Sequence, residues 1–232
     1  MTDTDQAPDA SINKAPNVFA QMLRMLWHDK VALVAVIFLI IIAFCAIFGP
    51  SLLDAAATKQ NLRGRNSLPF DLAKGWLFVL GGDALGRPLL PRIIVAASNT
   101  IMVATGAVLI SMVVGSTLGL IAGYTKTRAS QIILRLADVI MSFPSLLLAV
   151  IVLYMLSPSV SNIIIVLAIT RIPIYLRTTR AEVLEIRERM FVQAARVMGA
   201  SDIRIIFRHI LPMVFPTLLT IATLDFAFVM LA

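Results

Sequence analysis

Residues 93–125 read IIVAASNTIMVATGAVLISMVVGSTLGLIAGYT and contain no Asp, Glu, Lys or Arg over 33 positions. A helix needs about 20 apolar residues to cross the hydrocarbon core of a bilayer. Two more stretches without these charged residues, 31–53 and 139–170, are 23 and 32 residues long. The sequence therefore predicts an all-α fold, in which several transmembrane helices pack as a polytopic membrane protein.

The composition of the 232-residue chain supports the same class. Hydrophobic residues make up 59% of it before glycine is counted, whereas soluble domains reach about 45–50% with glycine included. The net charge is +7, but only 14% of residues are charged and the mean hydropathy is +0.91. A nucleic-acid-binding protein carries its cations on a polar surface, so we expect the lipid bilayer and no nucleic acid as a partner. Cys45 is the single cysteine, which excludes an intrachain disulfide.

We expect the chain to be organised around five membrane spans. The predicted parts are a disordered cytoplasmic tail over residues 1–17, an interfacial helix over 18–30, span 1 over 31–48, a long extracytoplasmic loop over 49–92, and a core domain over 93–232 that contains spans 2 to 5. Proline removes a backbone donor, so Gly49-Pro50 should end span 1 and Pro144 should kink span 3. A turn at residues 157–159 should lead into span 4, which begins at Val160.

The positions of the cations predict the orientation. With the N-terminus in the cytoplasm, 13 Lys and Arg lie in cytoplasmic segments, seven of them within residues 177–208, and six lie in the long outer loop. This asymmetry follows the positive-inside rule. We therefore expect a multi-pass protein of the bacterial cytoplasmic (inner) membrane.

Three small residues in span 2 predict a close helix contact. Gly115, Gly119 and Gly123 follow one another at four-residue spacing, which places them on one face of a helix. A face without side chains lets another helix approach closely. We expect this face to pack against a neighbouring span.

Two charged residues fall within predicted spans. Arg171 either lines a pathway or extends its long side chain toward the charged end of span 4 near Arg177. Asp225 lies 13 residues beyond Pro212, too deep for its short side chain to reach the headgroups. It should face a subunit interface or a water pathway, and we treat both residues as pathway candidates.

The cytoplasmic segment 181–212 predicts a helix-turn-helix at the membrane surface. Good helix formers with an apolar face fill residues 181–198, and Gly199 follows as a helix-ending residue would. Ser201 then reads as the cap of a second helix over 203–209 that leaves at an angle before Pro212 opens the last span. Such an apolar surface should dock into a partner protein, unless it is a generic amphipathic surface helix.

The same segment resembles the EAA loop of ABC-importer permeases. Gln193-Ala194-Ala195, then Gly199, then His209-Ile210-Leu211-Pro212 stand at that loop's offsets, and residues 187–212, RERMFVQAARVMGASDIRIIFRHILP, are similar to its dipeptide, oligopeptide and nickel version. Residues 81–93, GGDALGRPLLPRI, resemble the family's G-T-D-x-x-G-R-D segment, and residues 134–149, LRLADVIMSFPSLLLA, its span 3 entrance. The N-terminal span and long outer loop are similar to those of the C-type subunit.

The resemblance implies a permease subunit and no enzyme activity. Importers of this kind, which take peptides or nickel and related small solutes, combine two homologous permease subunits, two ATPase subunits and an extracytoplasmic solute-binding protein. ATP and Mg²⁺ would be bound by the ATPase, since this chain has no G-x-x-x-x-G-K-[ST] phosphate loop and no cofactor of its own is expected. The residues implied to contact the ATPase are Gln193, Ala194, Ala195, Gly199, Ala200, Ser201, Asp202, Leu211 and Pro212.

Departures from the family pattern leave two alternatives open. Gln193 replaces an acidic residue that could pair with an arginine of the ATPase, and Gly82 and Pro88 replace the family's Thr and Asp, which removes a polar cap. Family members usually continue into a sixth span, so the chain looks truncated at its C-terminus. The alternatives are a non-functional permease remnant and a secondary transporter that works without an ATPase.

Overall fold

The computed structural model describes Met25 and residues 27–71, 74–125, 127–155 and 159–231. The predicted tail, most of the predicted interfacial helix, and residues 157–158 of the predicted turn lie outside the described residues. Within the described ranges the regular structure is helical, with one isolated antiparallel bridge between Gly82 and Pro88. The prediction of an all-α fold is confirmed. The helices are α1 (Lys30–Thr58), α2 (Leu89–Tyr124), α3 (Arg128–Ser142), α4 (Ser145–Met155), α5 (Val160–Ile186), α6 (Met190–Val197), α7 (Asp202–Ile205), a π turn (Ile206–Ile210) and α8 (Leu211–Leu231).

In the part of the chain that the structure describes, four helical segments are long and apolar enough to cross a membrane: α1, α2, α5 and the run Asp202–Leu231. Helices α3 and α4 would supply a fifth span only if they are counted as one broken span, because their axes meet at 93°. At 11 residues, α4 is about 16 Å long, half of a hydrocarbon core. The break falls at Phe143, whose extended backbone is the conformation favoured before proline, here Pro144.

The prediction that Gly49-Pro50 ends the first helix is wrong. Helix α1 begins at an Asp29 cap, whose Oδ1 accepts the N–H groups of Val31 and Ala32, and continues through Pro50 to Thr58. Pro50 has no N–H to donate to the Ala46 carbonyl four residues back, but helices tolerate proline within a membrane. The Ser51 hydroxyl adds a bond to the Phe48 carbonyl in the same turn at 2.7 Å. Gly49 has a packing role instead, since a Cβ there would lie 2.2 Å from Ile94 Cγ2 of α2.

Helices α2 and α5 form the centre of the molecule. A Cβ at Gly115 would lie 2.6 Å from Tyr175 Cβ, and one at Gly119 would lie 2.6 Å from Thr179 Cβ. Gly123 approaches Val183 in the same way, at 2.8 Å. The three glycines thus face α5 along two full turns, at distances that leave no room for side chains.

The sequence predicts a short helix over 203–209 and a separate last span that begins at Pro212, but the structure has one continuous helical run there. Asp202–Leu231 is one helical segment of 30 residues, which a π turn joins to α8. The Leu211 N–H donates to the Ile206 carbonyl, five residues back. This wider turn directly precedes Pro212, which has no N–H to give, so the helix passes the proline without ending.

Candidate coupling segment and buried ion pair

The cytoplasmic segment begins as a continuation of the membrane helix α5. The prediction of one helix over residues 181–198 is wrong, because α5 runs to Ile186 and a turn at residues 187–189 separates it from α6. The Arg187 side chain leaves this turn and its Nη1 donates to the carbonyl of Gly123 at 2.8 Å. That carbonyl is one of the last four of α2, which have no partner within their own helix. The chain turns here because Arg187 satisfies a free helix end.

Gly199 ends α6 with a left-handed residue, as the sequence predicts. Its φ is +82°, its N–H donates to the Arg196 carbonyl, and the N–H of Ala200 donates to the Ala195 carbonyl, both at 3.0 Å. These two bonds form a Schellman motif. The backbone then reverses into α7, which begins at Asp202.

One face of α6 and α7 belongs to the core of the protein. Val192 and Ala195 of α6 and Ile205 of α7 are buried and pack in one cluster with membrane-helix residues such as Tyr175 and Leu218. The segment is therefore packed onto the bundle, and its inner face is continuous with the core that α2, α5 and α8 form.

Polar contacts tie the same segment to the end of α2. Tyr124 donates its hydroxyl to Asp202 Oδ1 at 2.5 Å, and Arg196 Nη2 donates to the Tyr124 hydroxyl at 3.3 Å. The Arg196 guanidinium also lies 5.7 Å from the centre of the Tyr124 ring. Together with Arg187 on Gly123, these contacts fix both short helices to one helix terminus.

The opposite face is apolar and open. Val197 is 88% exposed and Met198 81%, on the last turn of α6 and its cap. The other large apolar residues exposed on this segment are Met190, Phe191, Ile203 and Phe207. We call these six residues the coupling edge.

The residues predicted to contact an ATPase divide between the two faces. Ala195 is buried against the core and Asp202 is engaged with Tyr124, while Ala194 and Gly199 are exposed. Ala200 and Leu211 are partly buried, and Ser201 and Pro212 are exposed. Gln193 is exposed, and its amide Nε2 donates to the Glu188 carbonyl at 3.1 Å, which closes the turn between α5 and α6. A carboxylate at position 193 could not donate this bond.

The structure brings Arg171 and Asp225 together. Arg171 Nη1 lies 3.4 Å from Asp225 Oδ1, with the two side chains 16% and 6% exposed. Asp225 Oδ2 accepts the hydroxyl of Tyr175 at 3.2 Å, and the Arg171 guanidinium lies 4.3 Å from the centre of the Phe228 ring. Arg171 thus reaches across to α8, not toward Arg177, and Asp225 is held inside the subunit.

The outer segment has its own polar centre at Asp83. Its carboxylate accepts the N–H groups of Leu85 and Arg87 at 2.9 and 2.8 Å, and the guanidinium nitrogens of Arg87 and Arg92 at 2.9 and 2.7 Å. These bonds, the Arg87 backbone N–H above all, hold the pKa of Asp83 below its ordinary value. Pro88 caps α2 without a side-chain hydrogen bond, so Asp83 and Arg92 connect this loop to the helix.

Sequence reasoning missed Tyr124, Tyr175 and Arg187. Each one acts on a residue 50 or more positions away, and its own neighbours carry no motif. The only signal was position, since Tyr124 ends an apolar helix and Arg187 begins the loop motif. Asp83 did stand in a recognised segment, but the sequence does not show that its carboxylate gathers four donors.

Comparison with known proteins gives two family matches. Residues 115–232 match the family described as binding-protein-dependent transport system inner membrane component, and residues 17–69 match the N-terminal TM domain of oligopeptide transport permease C. The chain is 37% identical over 215 residues to a di/tripeptide transport system permease protein of Pseudomonas aeruginosa, covering 90% of this chain and 71% of the relative.

Two further relatives are similar in kind. A dipeptide transport system permease protein of Alkalihalophilus pseudofirmus is 35% identical over 212 residues, covering 91% of this chain and 68% of the relative. A glutathione transport system permease protein of Pectobacterium atrosepticum is 39% identical over 133 residues, covering 57% of this chain and 44% of the relative.

Proposed function

The chain belongs to the family of binding-protein-dependent transport system inner membrane components, and on that premise we propose that it is a permease subunit of an importer that moves peptides. The C-type match over residues 17–69 makes it the subunit with the N-terminal span and the long outer loop. It is a multi-pass inner-membrane protein and a transport subunit, not an enzyme.

The proposed cargo rests on the relatives. Those named above are described as carrying di- and tripeptides, dipeptides and glutathione, which are all short peptides with a free carboxylate. We therefore propose short peptides as the substrate class in preference to nickel. An extracytoplasmic solute-binding protein would deliver them to the outer face of the permease.

The observation that carries coupling to an ATPase is the two-faced build of segment 181–212. Its inner face packs in the core of the bundle, and its coupling edge places Val197, Met198 and four other large apolar side chains in the open. Such a patch at the tip of a rigidly held helix pair is typical of a surface that docks into a partner protein. We propose that the coupling edge inserts into a groove of a separate ATPase subunit.

The anchoring contacts would carry the movement inward. A push on α6 reaches α2 through Arg187 and Tyr124, and it reaches α5 and α8 through the buried cluster around Val192 and Ile205. The contact with the ATPase would include the exposed residues Gln193, Ala194, Gly199 and Ser201. Ala195 and Asp202 would instead hold the helix pair on the bundle, Ala195 through the core and Asp202 through Tyr124. ATP and Mg²⁺ would be bound by the ATPase, and a second permease subunit and a second ATPase subunit would complete the complex.

Co-purification tests this proposal. The tagged chain is expressed together with a candidate partner permease, ATPase and binding protein from the same genome, and the detergent-solubilised complex is reconstituted into proteoliposomes with ATP inside. We expect the ATPase to co-purify and peptide uptake to require ATP and the binding protein. Uptake by the chain in the absence of any ATPase would establish a secondary transporter instead.

A charged substitution on the coupling edge tests whether the ATPase docks at this surface. Val197→Asp should abolish ATPase co-purification, because it places a carboxylate in an apolar contact. Leu68→Asp is the matched control, since Leu68 is as open as Met198 but lies in the outer loop. Retention of the ATPase by Val197→Asp would contradict docking through this edge.

A further inference from the structure

Two cavities lie along one face of α5. The outer one, about 510 Å³, is bounded by α2, α4, α5 and α8 and includes the polar side chains of Asn99 and Thr100. The inner one, about 210 Å³, lies between the α3–α4 elbow and α5 and includes Thr170 and Arg171. The wall that α5 gives to both consists of Val160, Ile163, Val166, Leu167, Thr170, Arg171 and Ile174.

The α5 residues of that wall place the two cavities one after the other along the same helix face. Its residues follow at three- and four-residue steps, which is a single stripe of a helix. From Val160 to Ile174 the stripe is about 21 Å long, most of the thickness of a hydrocarbon core. A solute that entered the outer cavity and kept to this face would next meet Arg171.

Arg171 has binding capacity that the protein does not use. In the described part of the chain its polar contact is the ion pair with Asp225 at 3.4 Å, and no hydrogen bond from its guanidinium forms there. A guanidinium has five N–H donors. With the Phe228 ring 4.3 Å from the guanidinium carbon, the inner cavity is where its remaining donors can be satisfied.

Arg171 lies within the membrane part of α5. It is 11 residues from the start of α5, roughly 16 Å of helix, and six residues from Arg177, where the charged cytoplasmic segment begins, about 9 Å. An anion that arrives from the outer side has to pass through the cavities. On the proposed function, the solute that does so is a short peptide.

We propose that Arg171 binds the α-carboxylate of the peptide as it passes from the outer to the inner cavity. Guanidinium and carboxylate match in charge and in planar geometry. Asp225 is a positioning residue, because it does not line the inner cavity. From α8 it forms the ion pair that orients the Arg171 side chain of α5, and the Tyr175 hydroxyl donates to Asp225 in turn. This inference rests on the proposed function and adds to it a contact that selects the free acid end of the cargo.

Charged thiol reagents test whether Arg171 faces the cavity. Thr170→Cys is made in a Cys45→Ala chain, assembled with its partner subunits in nanodiscs without ATP, and labelled with methanethiosulfonates that carry a sulfonate or a trimethylammonium group. We expect Arg171→Gln to lower the ratio of sulfonate to ammonium labelling rates about tenfold, the effect of one charge at about 6 Å in a partly wet site. Arg171→Lys should restore the ratio, and a control cysteine at Val103 in the outer cavity should not respond.

Protection by peptides tests the carboxylate. Alanyl-alanine and N-acetyl-alanyl-alanine should slow labelling at position 170 severalfold, alanyl-alaninamide should not, and Arg171→Gln should remove the difference. An unchanged labelling ratio in Arg171→Gln, or equal protection by the amide, would overturn the proposal. Labelling needs no ATP, so the two proposals can fail separately. If the complex takes up peptide with ATP but peptides give no protection, the carboxylate site alone is refuted. If ATP-driven uptake is absent, the proposed function alone is refuted.

Discussion

The hydroxyl of Tyr124, the last residue of α2, donates a hydrogen bond of 2.5 Å to the carboxylate of Asp202, the first residue of α7. The two residues are 78 positions apart, and their contact joins a membrane helix to the helix pair that we assign to ATPase docking. Arg196 adds a second bond to the same hydroxyl.

Tyr124→Phe should weaken coupling without preventing assembly. It removes two hydrogen bonds to charged groups, the one donated to Asp202 and the longer one accepted from Arg196, together roughly 1.5 kcal/mol at this solvent-accessible site, which is about a tenfold shift toward a detached α7. We expect peptide uptake to fall severalfold while ATP hydrolysis by the complex persists. Tyr154→Phe is the control, because Tyr154 is 91% exposed on α4. Equal uptake by the two variants would argue against this link.

Gly199→Val should uncouple ATP hydrolysis from transport. No atom lies within 4 Å of a Cβ at Gly199, so the damage comes from its φ of +82°, which costs an L residue roughly 1–2 kcal/mol. ATP binding by the complex should be intact, and uptake should fall strongly at normal membrane levels.

A second glycine gives the control for this prediction. Gly75 has a φ of +100° and equally open space, but it lies in the outer loop. With ψ at 161° Gly75 lies in a region that only glycine adopts readily, so Gly75→Val carries a backbone strain at least as large, far from α6. If both variants transported alike, the turn at Gly199 would have no special part in coupling.

Gly119→Ala should destabilise the folded bundle. The new Cβ would lie 2.6 Å from Thr179 Cβ and 2.7 Å from the Leu176 carbonyl, and the backbone of α5 has to move to admit it. Overpacking of this kind costs about 1–3 kcal/mol, which should lower the Tm of the detergent-solubilised protein by several degrees. Gly106→Ala on the same helix should have a smaller effect, since its Cβ would meet only the side chain of Ile164. Equal Tm values would place the tight contact elsewhere.

Acid should loosen the outer loop through Asp83. The pKa of this carboxyl is lowered in the folded loop from its ordinary value of 3.8, so the stabilisation is complete above about pH 3.8 and is lost as the pH falls through the folded value. The Arg87 amide, which donates to Asp83, should stay protected from hydrogen exchange at neutral pH and lose that protection only as the pH falls below 3.8 and through the lowered pKa of Asp83.

The matching variants separate Asp83 from the other acids of the loop. Asp83→Asn should expose the Arg87 amide at neutral pH and remove the acid dependence. Asp71→Asn should leave the protection of the Arg87 amide unchanged, since Asp71 pairs with Lys74 and does not bond that amide. An amide that stays protected in Asp83→Asn would show that other bonds hold the loop.

The parts of the fold that depend on local composition could be predicted from the sequence. Charge-free runs located α1 and α2, glycines at four-residue spacing indicated a close contact, and Gly199 marked the end of α6. The prolines misled at Pro50 and Pro212, because a membrane helix can continue past a proline, as α1 does at Pro50 and as the last helical run does at Pro212, directly after a π turn.

The polar contacts of the candidate sites could not be predicted in this way. Arg171 and Asp225 were each recognised as unusual, but 54 positions separate them, and only the packing of α5 against α8 shows that they form a pair. The role of Tyr124 depends likewise on where the loop folds back. Sequence periodicity identifies the face of a helix, and the partner of that face is a property of the whole bundle.

The π turn at Ile206–Ile210 lies between the short helices α6 and α7 and Asp225 of α8, and it holds one residue that an α-helix would not need. A π turn holds one residue more than an α turn, and one residue corresponds to about 100° of rotation and 1.5 Å of rise. Passage of that extra residue along the helix would swivel the side chains it overtakes without unwinding α8. The continuous helix from α7 through the π turn to α8 is therefore suited to transmit rotation about its axis as well as movement along it.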